Sequence, residues 1–175
     1  DLCSQAYKIP SAPTFNTPFD NRCAGWDAPT TVNCPFDTNM GGDLWYTYKA
    51  PCSGNVEFST CDITDYDAML AVYGGTVSCT CPSSLTGHIG CGDDTCGPPG
   101  RPAIVTRSVT GGGCYMIRVG GWEGSTGTGD LSVSYVTACN PTDLYLTGTT
   151  DLRDFAVFAN CLGPTTTSCS ASDFN

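Results

Sequence analysis

The stretch Ala68-Met69-Leu70-Ala71-Val72-Tyr73-Gly74-Gly75 decides the fold. Its first six residues are apolar at odd and even positions alike. An extended chain alternates its side chains between two faces, so this segment predicts a central strand covered on both sides, ended by the glycine pair. The segments around it alternate instead. Leu44, Tyr46 and Tyr48 share one face, with Trp45 and Thr47 opposite, and Val56 and Phe58 point away from Glu57 and Ser59. Tyr115, Ile117 and Val119 alternate with Met116 and Arg118, and Leu131, Val133 and Tyr135 with Ser132 and Ser134. These read as half-buried strands, although Trp45 is expected to pack internally. Glycines at 111 to 113, at 120 and 121, and from 124 to 129 mark the connections between the last strands, within a chain that has 21 glycines and 12 prolines. The pattern predicts an all-β fold, a disulfide-rich antiparallel β-sandwich of jelly-roll-like form with one short C-terminal helix.

That helix follows a change of composition after Cys139. Leu152, Phe155, Ala156, Ala159 and Leu162 fall at helical spacing, with Thr150 or Asp151 as N-cap and Gly163-Pro164 as the stop. The chain therefore divides into a sandwich, residues 1–139, and a tail, residues 140–175.

Thirteen cysteines in 175 residues fit an oxidising compartment, where each bridge stabilises by about 2–4 kcal/mol. Zinc would need close Cys/His pairs at set spacing; only Cys79 and Cys81 lie very close, and His88 is the sole imidazole. The number is odd, so one thiol is left over, free or bonded to another chain. Local spacing favours Cys52 with Cys61, closing a hairpin, and Cys91 with Cys96, bracketing an acidic turn. Seven Lys+Arg against 17 Asp+Glu give a formal charge of −10, which repels phosphate backbones and anionic lipids and excludes nucleic acid as a partner. No apolar run is long enough to span a membrane. The opening on Asp1, without a basic and apolar leader, reads as a mature secreted form, extracellular or at the cell surface.

Several motifs keep their order along residues 1–139. They are Asp1-Leu2-Cys3 with Ala6 and Ile9; Asp43 to Tyr48, with Ala50-Pro51-Cys52-Ser53-Gly54 and Ser59-Thr60-Cys61; Tyr66 to Tyr73; Cys91-Gly92-Asp93-Asp94-Thr95-Cys96; and Tyr115 to Gly121 with Gly127 to Leu131. In this order they resemble the secreted bacterial jelly-roll modules similar to pre-peptidase C-terminal domains. The resemblance implies a non-catalytic sandwich, with the last pair of segments as its closing hairpin. Asp143 to Phe155 resembles one repeat of a type I dockerin, in which Asp143, Gly148, Asp151 and Asp154 match the calcium loop. Tyr145 and Thr147 replace two oxygen ligands, so this degenerate loop implies weak calcium binding at best. Asp173-Phe174-Asn175 resembles the start of a second repeat.

The residues themselves supply few candidates for chemistry. A hydrolase triad would need His88 as base, and no nucleophile motif stands beside it. Asp93 and Asp94 are expected to project apart on their turn and so not to act as an acid and base pair. Asp62, Asp65 and Asp67 before the central strand, with Asp93 and Asp94, are carboxylates of the kind that a hard cation prefers, and Asp65, Asp67, Asp93 and Asp94 are the calcium candidates. Of Trp26, Trp45 and Trp122, Trp122 is the one least needed by a core and the candidate for stacking on a sugar. The expectation is a non-catalytic structural protein that self-assembles into an extracellular fibre or array through strand edges, residues Ala6 to Phe19 and the tail, with no cofactor required. The alternative is a calcium-dependent module of a larger secreted protein that binds glycan or a surface protein.

Overall fold

Alternation at 44–48, 56–58, 115–119 and 131–135, and continuous apolarity at 68–73, all appear as strands in the computed structural model. It describes residues 2–26, 34, 39–61, 63–96, 102–137 and 139. The expected C-terminal helix, the segment expected to be dockerin-like with Asp143, Asp151 and Asp154, and Asp62 lie outside the described residues. After a 3-10 turn at Cys3–Gln5, nine strands follow: β1 (Tyr7–Ile9), β2 (Thr14–Asp20), β3 (Met40–Lys49), β4 (Gly54–Ser59), β5 (Ala68–Thr76), β6 (Gly90–Gly92), β7 (Ile104–Val109), β8 (Cys114–Trp122) and β9 (Thr128–Tyr135). They form two sheets, ordered β1-β3-β8-β5-β6 and β2-β9-β4-β7. This is the expected all-β sandwich. Its pairings are antiparallel except that β1 runs parallel to β3. No helix of the described residues is long and apolar enough to cross a membrane.

The inner faces supply the main core: Tyr46 and Tyr48 of β3, Leu70 and Val72 of β5, and Ile117 and Val119 of β8 pack against Val56, Phe58, Leu131 and Val133 of the other sheet. Burying such side chains contributes about 1.5–3 kcal/mol each. The outer face of the five-stranded sheet is also covered. Met40, Trp45, Met69, Ala71, Tyr73 and Met116 form a second cluster, with Cys34 among them and Leu85 and Cys91 packed against it. Disulfides Cys3–Cys81, Cys34–Cys91 and Cys79–Cys114 hold the chain over this face. Strand β8, read as half-buried, is therefore buried on both sides. Arg118 lies at the centre of that cover, fully buried, 2.7 Å from the Asp43 carboxylate and 5.7 Å from the centroid of the Trp45 ring. A buried charge needs such a partner, because solvation by water has been lost.

The local disulfide pairs are corrected. Cys52 bonds Cys139, Cys61 bonds Cys96, and Cys91 bonds Cys34. Cys52 precedes β4 and Cys61 follows it; a six-residue strand rises roughly 20 Å, whereas a bridge needs Cα atoms within about 7 Å. Cys91 belongs to β6 opposite Ala71, on the outer face that Cys34 reaches, and Cys96 lies beyond the turn, where it meets Cys61. Cys23 is an exposed free thiol. The closing hairpin is corrected as well: β8 pairs with β3 and β5, whereas β9 pairs with β2 and β4 in the other sheet. Trp122 to Gly127 is thus an arch between sheets, turned by Glu123 (φ 46°) and Gly124 (φ 82°).

Candidate functional site

The register of β5 against β6 gathers the acidic residues. Leu70 pairs with Gly92 in an antiparallel ladder, so the residue before β5, Asp67, and the residues after β6, Asp93 and Asp94, meet at one end of the sheet. One carboxylate oxygen from each lies within 4.8 Å of the other two. Asp93 is only 4% exposed, Asp67 is half-buried and Asp94 faces solvent. Asp93 and Asp94 were expected to diverge on their turn. They converge because Asp94 takes a left-handed backbone (φ 55°), which an L-residue other than glycine rarely adopts. Three carboxylates this close repel one another, and a hard divalent cation relieves that repulsion with oxygen ligands of this type. Calcium takes six to eight oxygens, so three carboxylates leave positions for water or the hydroxyls of a ligand.

Asp65, the fourth calcium candidate of the sandwich, is placed elsewhere. Its carboxylate accepts hydrogen bonds from the Thr128 backbone N–H (2.7 Å) and hydroxyl (3.0 Å), tying the β4–β5 connection to the start of β9. Those bonds hold its carboxyl below the usual carboxylate range. Neighbouring residues in an extended chain point to opposite sides, and two positions of separation did not keep Asp65 with Asp67 once the chain bent at Tyr66.

Trp122 lies beside this cluster. It ends β8, the strand adjacent to β5, and its backbone N–H donates to the Asp67 carbonyl at 3.0 Å. Its side chain is 39% exposed. Trp26, 53% exposed, lies against Gly41 of β3 and Gly124 of the arch, where a Cβ at either position would collide with its ring. Sequence reasoning weighed Trp26 but did not place it near Trp122; the signal is the glycines at 41 and 124, which leave room for an indole. Along this end of the sheet, the Trp26 ring over Gly41 of β3, Trp122 at the end of β8, Asp67 before β5 and the Asp93-Asp94 pair after β6 follow the strand order, at ~4.8 Å per strand. Trp45 is buried, as expected. His88 is half-buried, edge-on to Tyr73 with ring centroids 6.3 Å apart, near the opposite end of β5.

No family model matches the chain, and no curated protein does. Solved structures with a similar arrangement include the pre-peptidase C-terminal domain of a collagenase from Bacillus anthracis (13% identity, TM-score 0.42, covering 74% of this chain and 95% of that one). PliG of Aeromonas hydrophila, a periplasmic inhibitor of g-type lysozyme, gives 15% identity and a TM-score of 0.42 over 74% of this chain and 94% of its own. The K1 cleaved adhesin domain of the Lys-gingipain of Porphyromonas gingivalis gives 16% and 0.35, over 73% and 89%. Likenesses at this distance say nothing about ligand or activity.

Proposed function

We propose that this chain is a non-catalytic, secreted or surface-exposed sandwich module that binds glycan at the Trp122 end of its five-stranded sheet, with calcium held by Asp67, Asp93 and Asp94. The observation that carries this reading is the convergence of three carboxylates from two separate connections within 4.8 Å, one strand away from an exposed indole. Calcium, when bound, neutralises the carboxylates and offers open positions to vicinal hydroxyls. The Trp122 ring supplies an apolar face for the C–H side of a sugar. Asp93, held by burial, fixes the geometry, whereas Asp94 at the rim can adjust to the ligand. Five disulfides among the described residues support the extracellular setting.

Calcium titration followed by thermal denaturation tests the metal, and a glycan array with and without chelator tests the ligand. Calcium at a hundredfold excess over its dissociation constant is expected to add about 2.7 kcal/mol of stability. Asp93→Asn should abolish that increment, and Trp122→Ala should remove glycan binding while leaving the calcium shift in place. A protein whose melting temperature ignores calcium, or a glycan signal indifferent to chelator, refutes the reading.

A further inference from the structure

A second site lies at the other end of β5, roughly 23 Å from the carboxylate cluster, at ~3.3 Å per residue over the seven residues from Asp67 to Gly74. There the free edge of β7 and the end of β5 diverge, leaving a surface groove of about 560 Å³, within the range of small-molecule sites. Its most unusual occupant is Arg107. On β7, Val105 and Val109 point into the core, and Arg107 falls in the same phase, opposite the buried Val56. Arg107 itself is exposed, so this in-phase position at the edge of the sheet holds its guanidinium at the surface. Gly90 makes room for it, since a Cβ there would collide with Arg107 and Val105. The guanidinium is fixed by backbone alone: Nε donates to the Ile89 carbonyl and Nη1 to the Thr106 carbonyl at 3.0 Å. Nη2 has no protein acceptor among the described residues, and Arg107 makes no ion pair among them. In a chain of formal charge −10, an exposed arginine anchored to backbone carbonyls, with no ion pair to a described carboxylate, can meet an incoming anion with its remaining donors.

The rest of the groove narrows the class of anion. Asn55, Ser108 and Thr110 line it with neutral amide and hydroxyl groups. Gly74 and Gly75, at φ 107° and 95°, contribute backbone without side chains to the lining. The volume exceeds what an inorganic anion fills. We infer that this groove binds a carboxylate-bearing saccharide, a uronic acid unit whose carboxylate meets Arg107 and whose hydroxyls meet Asn55, Ser108 and Thr110. The site is independent of calcium and of Trp122.

The test is calorimetric titration of the intact chain with a short oligogalacturonate in the presence of chelator, against its carboxyl-reduced neutral counterpart and against a short acidic peptide. The expected result is a dissociation constant below ~1 mM for the acidic sugar and binding at least about tenfold weaker for the neutral one. Arg107→Gln and Ser108→Glu should each weaken binding about tenfold or more at unchanged melting temperature, and Trp122→Ala should leave it unchanged. Should Arg107→Gln unfold because its backbone bonds tie β7 to the Ile89 segment, Ser108→Glu decides, since Ser108 is exposed and the change removes only its surface bond to Asn55 Oδ1 (2.7 Å). Absence of binding, equal binding of the neutral sugar, full binding by Ser108→Glu, or tighter binding of the peptide overturns the inference. Failure of calcium binding at Asp93 leaves this result untouched, so the two sites stand or fall separately.

Discussion

At the scale of single residues, the buried tyrosines show what happens when loss of water dominates a group's ionisation. Desolvation pushes the phenols of Tyr46 and Tyr73 up to about 12, and raises those of Tyr48 and Tyr66 further still. An unfolded tyrosine ionises near pH 10, so below that pH neither state is charged and these groups leave stability unaffected by pH. As pH climbs from about 10 through 12, the unfolded chain loses protons that the folded chain retains, and stability falls by about 1.4 kcal/mol per pH unit for each such tyrosine. Tyrosinate absorbance is expected to rise in two steps, the later one coinciding with loss of the β-sheet circular dichroism. A single step with the fold intact would contradict the burial of these rings. Asp65 acts at the acid end with the opposite sign: its lowered carboxyl stabilises above the unfolded pKa, near 4, and that contribution is lost as pH falls.

At the scale of elements, covalent ties join segments that the sheets leave at a distance. Cys52 and Cys139 bracket strands β4 to β9 with a sequence separation of 87, and the Tyr135 hydroxyl donates to the Cys52 carbonyl at the same place. Closing so long a loop removes about 4–5 kcal/mol of freedom from the unfolded chain in the loop-entropy picture. The double variant Cys52→Ala/Cys139→Ala is expected to lose stability of that order in denaturant titration while retaining the sandwich. Peptide mapping of the unreduced protein should recover Cys61 with Cys96 and Cys34 with Cys91 as well. Strands and their faces were legible in the sequence because alternation is a local property of an extended chain. The cysteine pairs were not, because spacing along the chain ignores the strand that keeps Cys52 and Cys61 apart.

At the scale of the whole molecule, the open question is whether sheet edges recruit neighbours. The N-terminal segment expected to make assembly contacts is used within the molecule: β1 lies beside β3 and β2 beside β9, one in each sheet. The remaining edges are blunted. Strands β1 and β6 have three residues each, β2 carries Pro18, which lacks a donor, and Arg107 covers part of β7. Sedimentation of the unreduced Cys23→Ser variant is therefore expected to give the monomer mass of 18.3 kDa, because Cys23 is the free thiol among the described residues. Fibres or a ladder of masses that persist in that variant would restore the assembly reading. The sequence by itself determined the all-β class, the central strand at 68–73, the inward faces of its neighbours and the oxidising chemistry of its cysteines, all of which follow from local periodicity and composition. Only the tertiary structure decided that Asp67 joins Asp93 and Asp94 while Asp65 turns to Thr128, that Trp122 stands beside them, and that Arg107 faces a groove. Those placements depend on the register between segments 20 or more residues apart, which is set by how the two sheets pack and not by any one segment's pattern.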